Sequence, residues 1–149
     1  MVVFAAGVGS LATEIGASRL LAPYFGNSTI VWANVIGLIL ASLALGYWLG
    51  GRLADRRPSA RALGAVVVAS ACLIAVIPFV ARPLLDFSVE GLDRVSAGAA
   101  IGSFFGVLVL FVPPVVLLGM VAPFAIRLAI TDVESAGTVA GRLYAVSTV

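Results

Sequence analysis

The stretch IVWANVIGLILASLALGYWLG, residues 30–50, runs for twenty-one residues without one charged side chain, and GRLADRRPSAR, residues 51–61, follows it at once. A helix needs about 20 mostly apolar residues to cross the hydrocarbon core of a bilayer. Residues 30–50 meet that need, and the abrupt change to four arginines marks an interface with water. On the far side of this basic loop a second uncharged run covers about 62–81. A third covers about 97–121, again without a charge. Upstream, residues 2–21 form a further apolar run broken only by Glu14 and Arg19, and Pro23, Gly26, Asn27 and Ser28 then signal a turn.

The whole chain agrees with this local reading. It is 62% hydrophobic and only 11% charged over 149 residues, and its mean hydropathy is +1.17. Soluble domains carry about a quarter charged residues. A water-soluble chain of this length has no core large enough to hide so much apolar surface. The expected fold is therefore all-α: a polytopic membrane bundle of about four spanning helices, at 2–21, 30–50, 62–81 and 97–121. Residues 124–149 form a cytoplasmic C-terminal segment, and 138–149 read as the start of a fifth helix. Met1 leads directly into apolar residues with no basic segment before them, so the first run reads as a retained helix rather than a cleaved signal.

Arginine placement sets the expected orientation. Arg52, Arg56, Arg57, Arg61, Arg127 and Arg142 fall on one side of the four spans. Arg82 and Arg94 fall on the other, among Asp86, Glu90 and Asp93. Basic loops stay cytoplasmic, so both termini and the 51–61 loop are expected inside, and the 22–29 and 82–96 loops outside.

Composition removes several function classes. There is no histidine and a single cysteine, Cys72, so neither a disulfide nor a metal cluster is expected, and Cys72 reads as a small buried hydrophobe. A net charge of +2 gives no argument for nucleic acid. No strand leads into a glycine-rich phosphate loop, and no nucleophile–base pair stands out, so no catalytic residue and no cofactor are expected. Gly46 and Gly50, and Gly98, Gly102 and Gly106, recur at four-residue spacing, which suits close helix packing in lipid. Pro113 and Pro114 inside the last run are expected to kink it.

Ionisable groups within a span are costly and by default mark a function or a buried partner. Glu14 and Arg19 are thus the candidate substrate-binding residues. Five positions apart, they do not share a helix face well. Glu14 is expected to face the bundle, where it pairs with another group or lines a cavity, while Arg19 reaches toward the headgroups.

Two resemblances add to this reading. Gly51, Leu53, Ala54, Asp55 and Arg56, placed after a second span, resemble the G-x-L-a-D-r-x-G-r-r signature of major facilitator transporters. Pro58 stands where that family prefers glycine, and the following basic pair is shifted. The resemblance implies that Gly51, Asp55 and Arg56 belong to a charge network at a cytoplasmic gate. SRLLAPYFGNS (18–28), Trp32, LGYWLGGRLAD (45–55), Pro113–Pro114 with LGMVAP (118–123), and GRLYAVST (141–148) are similar to the membrane part of spermidine synthase-like proteins, also described as fused major facilitator and spermidine synthase proteins. This likeness covers nearly the whole chain. In that family the helices precede a soluble aminopropyltransferase domain, and the 149 residues hold none of it. The resemblance thus implies a membrane module that anchors or serves polyamine synthesis, or binds a polyamine, with a soluble synthase or a second copy as partner. Two other readings stand beside it: a half-unit of a transporter for a small cation, and a purely structural membrane subunit.

Overall fold

The computed structural model describes residues 1–92, 98–130 and 136–148, without the side chains at 89–92, 136, 144, 147 and 148. Among these residues there are helices and no strands. The order is α1 (Val2–Phe25), α2 (Thr29–Arg56), α3 (Ala60–Leu92), α4 (Gly98–Leu110), α5 (Val112–Ala129) and α6 (Ala136–Thr148).

Local chemistry sets the helix ends. Gly26 stops α1 at φ 73°, a left-handed conformation that a side chain disfavours, and its N–H returns to the Ala22 carbonyl at 2.9 Å. Three residues later α2 begins. Ser28 caps it by accepting from the Val31 N–H at 3.3 Å, and Ser59 caps α3 by accepting from the Ala62 N–H at 3.1 Å. Between α4 and α5 the chain breaks at Phe111, with Pro113 and Pro114 in the first turn of α5. Proline is tolerated there because first-turn N–H groups have no intrahelical acceptor.

Three helices are long and apolar enough to cross a membrane: Thr29–Arg56, Ala60–Ser88 within α3, and Val112–Ala129. α4 is apolar but shorter, and α1, with Glu14 and Arg19, is not among the three. The expectation of about four spans plus the start of a fifth is therefore more than these helices establish. Two boundaries also shift. Residues 82–92, read from sequence as loop, continue α3 despite Pro78 and Pro83, while Asp93 and Arg94 lie outside the described residues. The run read as one span at 97–121 is divided into α4 and α5, and α5 continues through Arg127.

The buried stripe of α2 explains the packing. It reads Val31, Val35, Ile39, Ser42, Gly46, Gly50 and Ala54, steps of three and four residues that keep one helical face. The first half of the stripe is bulky and joins the main core with Leu21, Phe25, Ile77, Leu85, Val107 and Val115. The second half is nearly bare, and there α2 meets α5 backbone to backbone. A Cβ at Gly50 would stand 2.6 Å from the Met120 Cα, and one at Gly119 would stand 2.9 Å from the Leu43 carbonyl oxygen. Gly102 on α4 instead receives the ring of Phe25.

The exterior is apolar. Phe79 and Phe87 are 81% and 75% exposed, and only 11% of the most apolar window of α3 is buried, against 33% for α5. Total accessible surface is 8878 Å², more than the roughly 7,100 Å² that scaling gives a water-soluble monomer of this mass. Cys72, expected to be buried, is exposed on α3. A small apolar side chain suits either a core or a lipid-facing surface, so composition alone did not separate the two.

Candidate functional site

Polar side chains on α1 mostly serve the helix itself. Thr13 Oγ1 donates to the Gly9 carbonyl at 2.6 Å, and Ser18 Oγ donates to the Glu14 carbonyl at 2.8 Å. Such bonds to the carbonyl four residues back satisfy a hydroxyl without any partner helix. Glu14 has no such route. Its side chain is half-buried, and among the described residues its carboxylate enters no hydrogen bond or ion pair.

Two cavities are each walled in part by Glu14. One, of about 390 Å³, lies among α1, α2 and α5 and is walled by Phe4, Ser10, Glu14, Leu43, Tyr47 and Leu118. The other, of about 550 Å³, lies where the end of α1 approaches the start of α2 and includes Glu14, Ser18, Arg19, Asn27 and Trp32. Arg19 therefore shares a cavity with Glu14 although the two are five residues apart. The two groups form no ion pair with each other.

The stretch from Gly51 to Arg56 lies at the opposite end of α2. Asp55 Oδ1 and Arg127 Nε form an ion pair at 3.3 Å, with the side chains 73% and 49% exposed. At a surface such a pair is worth at most about 1 kcal/mol. It joins the end of α2 to the end of α5. Arg56 is the last residue of α2 and exposed, and a Cβ at Gly51 would meet open space. The Arg52 guanidinium stacks over Trp48, 4.1 Å from the ring centroid, an i,i+4 pair that the sequence displays openly.

Sequence reasoning missed two interhelical polar contacts. Asn34 Nδ2 donates to the Ala100 carbonyl at 2.8 Å and to Ser103 Oγ at 2.9 Å, joining α2 to α4. Ser70 on α3 donates to the Pro114 carbonyl at 3.2 Å, fully buried beside the α4–α5 break. An asparagine inside an apolar run was a signal that some partner exists. Nothing in the sequence pointed to a partner more than sixty positions away.

Among the described residues no three acids or cysteines gather where a metal ion could bind. No family model matches the chain, and no curated protein or solved structure matches it.

Proposed function

We propose that the chain is the integral membrane module of a spermidine synthase-like protein, and that it holds a polyamine or similar organic cation at Glu14. The observation that carries this reading is Glu14, whose carboxylate is unpartnered among the described residues and which walls two cavities. A charged acid in the middle of a membrane helix costs about 2.5–3.5 kcal/mol, and a bound cation offsets that cost. The inner cavity suits an ammonium group. Phe4 and Tyr47 offer aromatic rings, and Ser10 offers a hydroxyl acceptor.

In this reading α1 is a fourth crossing despite its two charges, α4 and α5 act together as one bent crossing, and both termini are cytoplasmic. The module serves or anchors a soluble aminopropyltransferase and performs no catalysis with its own residues. The test is spermidine binding to the chain in lipid nanodiscs. Saturable binding that is lost in Glu14→Gln supports the reading, and absence of binding in the unmodified chain refutes the polyamine site, leaving a structural membrane subunit.

A second reading, a half-unit of a major facilitator-like transporter, is favoured by the Asp55–Arg127 pair between the ends of α2 and α5. It requires flux as well as binding. Spermidine uptake into proteoliposomes that Asp55→Asn changes separates it from an anchor.

A further inference from the structure

The cavity at the junction of α1 and α2 differs from the inner one in carrying both signs of charge. Glu14 and Arg19 both line it and are not paired with each other. Pro23, another of its wall residues, has no N–H to offer the carbonyl four residues back, which is that of Arg19. The accepting group among the cavity's charged side chains is the Glu14 carboxylate. The Arg19 guanidinium, the Asn27 amide and the Trp32 indole stand on the donating side. A polycation fits this arrangement poorly, because its second charge meets a guanidinium.

The apolar approach narrows the ligand further. Phe4, Val8, Leu11 and Ile15 are all exposed and recur at steps of four, three and four, one continuous row along α1. The row runs into the cavity, since Leu11 and Ile15 belong to its wall. Trp32, 46% exposed, lines the same cavity and is of a residue type that settles at the headgroup level of a bilayer. An apolar track leading to a dipolar pocket matches a molecule with a chain and a zwitterionic head.

We infer that this cavity binds the headgroup of a zwitterionic phospholipid with a primary amine, phosphatidylethanolamine in chemical class. Its ammonium donates to the Glu14 carboxylate, its phosphate accepts from the Arg19 guanidinium, and an acyl chain lies along the Phe4–Ile15 row. Guanidinium groups pair with phosphate through parallel hydrogen bonds. A trimethylated amine keeps its charge but has no N–H to donate, so phosphatidylcholine binds less well. The inference goes beyond the polyamine reading and does not depend on it, although Glu14 serves both.

The test uses Trp32 as the reporter. The chain has two tryptophans, so Trp48→Phe leaves Trp32 alone. This variant is placed in phosphatidylcholine vesicles with increasing brominated phosphatidylethanolamine, and quenching gives the relative association constant of the two lipids. The expected preference for the primary amine is roughly five- to tenfold, the size of about one net hydrogen bond. It falls to about one in Glu14→Gln; Arg19→Gln removes a phosphate contact that both lipids make and so weakens retention of either in the pocket. Circular dichroism checks that each variant is folded; if Glu14→Gln is not, Glu14→Asp takes its place and should show a reduced preference. A relative constant near one in the starting variant, or a preference unchanged by Glu14→Gln, overturns the inference. So does relief of quenching by soluble phosphoethanolamine at millimolar concentration, which assigns the pocket to a free zwitterion instead.

Discussion

Replacing Gly50 with alanine adds one methyl group where α2 lies against the backbone of α5. The new Cβ would stand 2.6 Å from the Met120 Cα and 2.9 Å from its Cβ, whereas carbon atoms rest at about 3.5–4.0 Å. The obstacle is main chain, so it cannot turn aside, and the helices must part by about 1 Å. A gap of that size forfeits up to about half of each facing contact. In lipid those contacts are a main force holding helices together, because apolar surface gains little by leaving one hydrocarbon for another. Overpacking costs of about 1–3 kcal/mol follow. Alanine recovers up to about 1 kcal/mol through helix propensity. Gly37 on the same helix is the control, because a Cβ there meets nothing within 4 Å. Gly37→Ala therefore keeps the propensity gain and avoids the clash. The assay is unfolding by sodium dodecyl sulfate in mixed micelles, followed by circular dichroism. Gly37→Ala is expected to be neutral or stabilising, and Gly50→Ala is expected to fall below it by about 1–3 kcal/mol. If the two variants unfold together, α2 and α5 do not pack through their glycines, and the close approach of the two backbones is refuted.

Other substitutions separate packing from binding. Asn34→Leu removes both bonds from α2 to α4 and is expected to cost about 0.6–1.7 kcal/mol in the same unfolding assay; Ser103 keeps its own bond to the Ala100 carbonyl at 3.1 Å, so a loss well above that range contradicts the assignment. Gly102→Ala meets the ring of Phe25, a side chain able to shift, and should destabilise less than Gly50→Ala. Glu14→Gln is expected to abolish spermidine binding while leaving stability equal or improved, since it removes an unpartnered charge; a large loss of stability with binding intact assigns Glu14 to packing. Asp55→Asn should change stability by less than about 1 kcal/mol, because its pair with Arg127 is exposed, and a larger effect in the unfolding assay means the pair is shielded from water.

Hydropathy is a local property that adds along the chain, and for that reason residues 30–50 and 62–81 were enough to make the helical, lipid-suited character of the protein legible. The turn at Gly26, the small-residue steps at Gly46 and Gly50, and the isolation of Glu14 in an apolar run were legible on the same grounds. Each depends on a residue's own chemistry or on neighbours within two helical turns. The four-span expectation went further than the helices support, because Glu14 and Arg19 dilute α1 and the break at Phe111 leaves α4 short. Which helix faces the glycines of α2, which carbonyl Asn34 reaches, and which arginine meets Asp55 were decided only by the tertiary structure. These contacts join residues more than sixty positions apart, and a helix face carries no label naming its partner. The meeting of Glu14 and Arg19 in one cavity belongs with them: their spacing argued against a shared face, and the cavity that both line also takes in Asn27 and Trp32, beyond the end of α1.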